Sequence, residues 1–261
     1  MNRVKIFKNS SEKSKRMEEK LIHDLKLHNF EINKDSYDLA ISIGGDGTFL
    51  RMVNETGFNE NIYYVGINTG SLGFLQEVDM NDSPNLIEKL SKNEYKIEDI
   101  YLQETKIVTK NKEYTYLSLN EIVIRRIDLK VLECLVKIDD EILEEFVGDG
   151  LLISTNIGST AYNMSLGGSI IDKSIKALSL TPIAPIKNKI YKNLNNSIVL
   201  SEQRTISIEP IKAPIILSID SVNKEFEDII KIESKISNHK IKCLKINHTN
   251  FIKTVHDKLI G

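Results

Sequence analysis

Residues 37 to 57 read YDLAISIGGDGTFLRMVNETG. The apolar run DLAISI has the length and composition of a buried strand, and it stops at Gly44-Gly45. From Gly47 an amphipathic segment continues until Gly57 closes it, which is how a helix ends. Strand, glycine turn and helix in that order make one unit of a parallel α/β sheet. Glycine lacks a Cβ, so the turn can be sharp and can approach an anion closely. The helix starting there points free N–H groups and its positive end at the same spot. In the middle of this anion bed stands a carboxylate, Asp46. A bare carboxylate repels phosphate. It makes chemical sense if it holds a divalent cation bridging phosphate oxygens, or takes the proton of a hydroxyl that attacks phosphorus. The competing reading is a helix cap, a common duty of aspartate.

Outward from that unit the alternation continues. Val4, Ile6 and Phe7 form a short strand, and residues 11–30 carry apolar side chains at Met17, Leu21, Ile22, Leu25 and Leu27, spaced for a helix with one buried stripe. NIYYVGIN (61–68) reads as a strand, NTGSLGFL (68–75) as a loop, and DSPNLIEKLSKN (82–93) as a helix with Pro84 in its first turn. From about residue 95 the pattern becomes β-rich: YKIEDIYL, TKIVTK, EYTYLSLNEIVIRR, KVLECLVKID, EEFVGDGLLIST, TISIEPI and PIILSID. The charges of KISNHKIKCLKINH read as the solvated face of a strand pair, and TNFIKTVHDKLIG at the end reads as a helix. The expected fold class is α/β. A Rossmann-like N-terminal α/β domain spans residues 1–95, a second, mainly β domain spans 96–246, and a C-terminal helix (tail 247–261) returns to the first.

Composition narrows the function. Lys+Arg 35 against Asp+Glu 37 gives a formal charge of -2, so no basic excess points to nucleic acid. No apolar run approaches the roughly 18 residues of a membrane helix, so no membrane partner is expected. Cys134 and Cys243 are far apart and form no CxxC, a usage that fits a reducing cytoplasm. The five histidines show no metal-ligand spacing and read as surface or structural. No protein metal site is expected from them.

Two further stretches carry chemistry. LNEIVI (119–124) sets Asn120 and Glu121 in a strand-like run, where an amide and a carboxylate suit ribose hydroxyls and base edges; a strand-end turn explains them equally. GDGLLISTNIGSTAYNMSLGG (148–168) joins a glycine-flanked acid, Asp149, to a buried strand and a turn bearing Ser159, Thr160 and Tyr162. That cluster offers hydroxyls, an aromatic face and backbone donors to a nucleotide.

Taken in order, GGDGTFL, INTGSLGFL, LNEIVI, GDGLLIST, GSTAYNMSLGG and LTPIAP resemble the NAD kinase family, and the resemblance covers nearly the whole chain. It implies an enzyme that phosphorylates the 2′-hydroxyl of the adenosine ribose of NAD with ATP, with Mg²⁺ or another divalent ion, in a homo-oligomer (tetramer or dimer). It makes Asp46 the catalytic residue, on a turn shared with Gly47. A carboxylate is too weak a base to strip a sugar hydroxyl in advance, but in phosphoryl transfer the proton can leave late. Asn120 and Glu121 would hold the adenosine half. Thr160, Ala161, Tyr162, Asn163, Met164 and Ser165 would line the dinucleotide pocket, and Asp149 and Ala184 would contact the nicotinamide half. Arg51 either reaches a phosphate or makes a surface ion pair.

The chain departs from relatives at Asn156-Ile157 (often Pro-Thr), at Val147 (Arg in several bacterial members, and grouped here with the binding residues) and at Asp220-Ser221 (often Asp-Gly). Tyr63, Tyr64 and Phe74 read as packing. A lipid or sugar kinase shares the glycine loop, and a dinucleotide-binding regulator without turnover shares the pocket; neither accounts for all the motifs.

Overall fold

The computed structural model describes residues 1–70, 73–189, 191–210, 213–247 and 251–261. Ser71 and Leu72 of the expected loop, Ile211 of TISIEPI, and His248, Thr249 and Asn250 at the tail lie outside the described residues. Two compact units emerge, one of residues 1–100 with 239–261, the other of residues 101–238.

The first unit contains β1 (Arg3–Lys8), α1 (Glu12–Leu27), β2 (Glu31–Ile32), β3 (Leu39–Ile43), α2 (Asp46–Glu55), β4 (Tyr63–Asn68), β5 (Val78–Asp79) and α3 (Ser83–Lys92). Its strands run parallel in the order β2-β1-β3-β4, with β5 added to β4. All five residues of β3 are buried, as expected where helices cover both faces of a parallel sheet. Leu39, Ile41 and Ile43 join Met17, Leu21 and Leu25 of α1 and Leu86, Ile87 and Leu90 of α3 in one core. By strand alternation Ala40 and Ser42 face the other side. Strand order reverses direction between β1 and β3, and in open α/β sheets ligands bind beyond the strand ends at such a point. The glycine turn after β3 occupies that position.

The second unit is antiparallel. Its strands begin within β6 (Lys96–Thr109) and continue with β7 (Glu113–Ser118), β8 (Glu121–Arg126), β9 (Leu132–Ile138) and β10 (Glu141–Thr155). After the short helix α4 (Tyr162–Ser165) come β11 (Ala177–Pro185), β12 (Ile198–Ser201), β13 (Ile206–Pro210), β14 (Ile215–Ile219), β15 (Val222–Phe226) and β16 (Ile229–Lys245). β10 is the hub: Glu141–Gly148 pairs with β9, Leu151–Ser154 with β8, and Gly148–Thr155 with β11 on the other edge. Inward residues such as Ile122, Ile124, Phe146, Leu151, Ile153 and Leu217 build a separate core. The helix α5 (Phe251–Leu259) belongs to the first unit.

Two expectations need correction. YKIEDIYL and TKIVTK are not two strands but the one strand β6, because no glycine or proline interrupts residues 96–109. KISNHKIKCLKINH is likewise not a pair but part of β16. Its charges are not all solvated: Lys245 sits between Glu77, 3.1 Å away, and Glu98, 3.3 Å away, where partly buried charge is tolerated because it is paired.

Candidate active site

At the glycine turn the two glycines differ. Gly44 has φ +154° and a Cβ on it would strike the Thr48 hydroxyl, so no other residue fits there. Gly45 is the N-cap of α2 and makes no side-chain cap; a Cβ on Gly45 or Gly47 would meet nothing within 4 Å. Asp46 is therefore the first residue of the helix rather than its cap. Its carboxylate turns away and accepts the backbone N–H of Phe74 at 2.6 Å and of Leu75 at 3.0 Å. The loop leaving β4 thus aims the acid. Gly73 must be glycine, since a Cβ there would collide with the same carboxylate. Asp46 keeps partial exposure between two exposed glycines. Helix cap is thereby excluded as its role. Arg51 donates to the carbonyl of Lys8 at 2.5 Å and pairs with Glu55 at 3.4 Å on the surface.

In the second unit a different carboxylate organises the cluster. Asp220 and Ser221, with φ 45° and 69°, form the two-residue hairpin loop between Ile219 and Val222, a conformation that favours Asp-Gly. Asp220 is 3% exposed and accepts the N–H groups of Leu119 at 2.7 Å, Asn120 at 2.8 Å and Glu121 at 3.2 Å. It holds the Asn120-Glu121 pair from behind. On the other side Thr155 N–H donates to the Asn120 carbonyl at 2.9 Å. A Cβ on Gly158 would strike that carbonyl, so the turn bearing Thr160 can lie against Asn120.

Burial, with the charge of Asp220 second, pushes the Glu121 carboxyl up to about 8, and the Tyr162 N–H pulls the other way. At neutral pH it is largely protonated and can donate as well as accept. Its Oε2 is buried with no hydrogen-bond partner, an unmet polar atom that a ligand hydroxyl would satisfy. Glu121 lines a cleft of about 600 Å³ with Val123, Arg125, Tyr162, Ser221 and Asn223. The Tyr162 hydroxyl accepts from Arg125 at 2.7 Å, and its ring packs on Val123, Leu152 and Ile183.

The remaining candidates separate. Asn163 is fully buried; it donates to the carbonyls of Ser159 and Ser169 and accepts from Thr181 at 2.6 Å, so its side chain builds the turn. Thr160 donates to the Ile157 carbonyl at 3.3 Å. Ala161 and Met164 are partly exposed and Ser165 is exposed. Asp149 is exposed on β10. It shares a ladder step with Ala184, between the pairs Gly148–Pro185 and Gly150–Ile183. Ala184 has φ 43°, costing roughly 1–2 kcal/mol for a residue with a Cβ, a strain that tends to collect at ligand sites. Val147 is buried, its peptide bonded both ways to Asn193 at 3.2 and 2.6 Å. Asn156 and Ile157 are also buried, Asn156 donating to the Lys173 carbonyl at 2.8 Å.

Residue typing overlooked the backbone donors of Phe74 and Leu75; the glycine Gly73 beside them was the available signal. The first unit offers an acid at a glycine turn and the second a cleft with a carboxyl, arginines and hydroxyls among apolar walls, a chemistry suited to phosphate-bearing, sugar-bearing ligands. The family model described as ATP-NAD kinase N-terminal domain matches residues 3–95, and that described as ATP-NAD kinase C-terminal domain matches residues 119–245. The chain belongs to the NAD kinase family. It is 34% identical to the NAD kinase of Lactobacillus acidophilus over 99% of this chain and 97% of that one. With the NAD kinase of Finegoldia magna it shares 34% identity over 98% and 97%. In fold it is similar to yeast NADH kinase complexed with NADH (TM-score 0.85, 21% identity, covering 100% of this chain and 88% of that one). It is also similar to an Archaeoglobus fulgidus NAD kinase in complex with ATP (0.77, 24%, covering 99% and 100%).

Proposed function

We propose that this NAD kinase transfers the γ-phosphoryl group of ATP to the 2′-hydroxyl of the adenosine ribose of NAD, with Asp46 as the residue that orients the hydroxyl and receives its proton. The O2′–P bond forms as the bond from phosphorus to the β-phosphate oxygen breaks, and the proton passes from O2′ to Asp46. The observation that carries this reading is the aim of Asp46: partly exposed, gripped by two amides, and flanked by glycines with open space beside them. Open space above backbone N–H groups suits phosphate oxygens. Glu121 and Asn120 would hold the ribose and adenine, Tyr162 and its turn the dinucleotide, and Asp149 with Ala184 the nicotinamide end.

Among the described residues no cluster of three His, Cys, Asp or Glu could hold a metal ion. A divalent cation would rest on the nucleotide phosphates, leaving Asp46 to take the hydroxyl proton. When bound it would neutralise phosphate charge. A lipid or sugar kinase leaves the pocket around Glu121 unexplained, and a sensor without turnover has no need of an acid among phosphates. A cytoplasmic home fits two buried cysteines, Cys134 and Cys243, that lie far apart in the sequence, and a homo-oligomer is expected in solution. The test is direct: incubate the protein with ATP, Mg²⁺ and NAD and assay NADP. Absence of NADP while a lipid or sugar acceptor is phosphorylated overturns the reading.

A further inference from the structure

Helix α5 contains no fully buried residue. Its half-buried positions are Phe251, Thr254, Val255 and Lys258, the i, i+3, i+4, i+7 spacing of a single helix face. On an inward stripe the last position would ordinarily be apolar. Here it is a lysine, and its Nζ lies 4.3 Å from the centroid of the Phe74 ring, a cation–π distance. Partial burial disfavours the ammonium, while the charge of Asp46 favours it.

Phe74 is the residue whose N–H grips Asp46. Three residues further on, Glu77 is 6% exposed and takes the other end of the C-terminal segment. It accepts from the N–H of Ile246 at 2.8 Å and of Asn247 at 2.9 Å, and from Lys245 Nζ at 3.1 Å. The stretch 73–77 therefore faces Asp46 with the amides of Phe74 and Leu75 and is held at two points by the C-terminal segment. Both clamps carry charge, beside the apolar Phe251 and Val255 of the same helix face.

We propose that α5 is a strap on the loop that aims Asp46, and that Lys258 is a positioning residue for phosphoryl transfer, acting through the Phe74 ring and adding positive charge beside the carboxylate. This rests on the NAD kinase reading above. A positioning residue of this kind changes the rate of the chemical step and not the affinity for NAD.

The experiment compares the wild type with Lys258→Met, Lys258→Arg, Phe74→Leu and the double variant Lys258→Met/Phe74→Leu, measuring kcat, the KM for NAD and ATP, and melting. Absence of NADP from the wild type would sink the functional reading, not the strap. With an active wild type, Lys258→Met is expected to lower kcat about three- to ten-fold, the size that a half-buried cation–π contact carries. KM for NAD should stay within about two-fold, and Lys258→Arg should recover most of the loss. The double variant should be no slower than the slower single one, because both remove the same contact. Unchanged kcat, a loss confined to KM for ATP, or fully additive losses would overturn the proposal. Should Lys258→Met melt early, Lys258→Gln replaces it and is judged by the same outcomes.

Discussion

The chain contains the triplet Gly-Asp-Gly twice, at 45–47 and at 148–150, and the two copies use glycine for opposite ends. In the first, Cβ atoms on Gly45 and Gly47 would meet nothing within 4 Å. The room is left vacant by the protein, which is what a site for an approaching ligand requires. In the second, a Cβ on Gly148 would lie 2.6 Å from Phe146 Cζ and one on Gly150 would lie 2.5 Å from the Ile124 carbonyl. There β10 changes neighbour from β9 to β8 while keeping β11 on its other edge, and the backbones approach too closely for a side chain. The difference teaches that a glycine motif is functional or architectural according to what surrounds the absent Cβ, not according to its letters.

The acids between those glycines should differ as sharply. Asp46→Asn keeps the shape of the side chain but removes the proton acceptor, the charge and the acceptor for one of the two amides that grip it. Turnover is expected to fall by roughly 10²-fold or more with NAD affinity nearly unchanged and a modest loss in melting temperature. Asp149→Asn removes a charge that the proposed site places away from the reacting atoms, so its loss should stay within about ten-fold and appear mainly in KM. Steady-state kinetics of the two variants breaks the comparison if Asp149→Asn proves the more damaging in kcat, or if Asp46→Asn turns over near the normal rate.

The next effect is on folding. Gly150→Ala inserts a methyl against the Ile124 carbonyl and the Arg125 side chain, and overpacking of this kind costs about 1–3 kcal/mol. Denaturant unfolding should show the second unit weakened, with the first unit's transition in place. The chain divides into two compact units, so unfolding is followed with a probe in each.

Much of this was legible in the residues. The stretch 37–57 specifies a strand, a turn and a helix, because apolar period and glycine position agree. The core stripe of α1 falls where Met17, Leu21 and Leu25 put it, but Ile22 is only half-buried and Leu27, expected on the same stripe, is 68% exposed because it lies off that face at the helix end. Less legible was whatever depends on a backbone group supplied from afar. The sequence marks Asp46 as unusual, but not that the N–H groups of residues 74 and 75 hold it. It marks Asn120-Glu121 as a pair, but not that Asp220, 100 residues on, accepts their amides. Amide donors leave no trace in residue type, since every residue but proline has one. At Asp46 their trace lies in the glycine that must make room, Gly73. Lys245 escaped for the opposite reason: a lysine in an alternating charged strand looks solvated until Glu77 is found against it.

The smallest expected effect on stability is also the sharpest test of the open triplet. Gly47 is the second residue of α2 and has no positive φ, so alanine fits its backbone. Gly47→Ala should stabilise the first unit by about 0.5 kcal/mol, through helix preference and a less free unfolded chain. The added methyl projects into space that no protein atom fills. If that space belongs to a phosphate crossing the turn toward Asp46, the same variant should lose several-fold in kcat/KM for ATP while it melts slightly later. Gain in stability with loss of activity is a combination that packing damage cannot produce. A variant that is both more stable and fully active would show that the vacancy at 45–47 is not ligand space, and the contrast with 148–150 would then reduce to a difference between a turn and a strand.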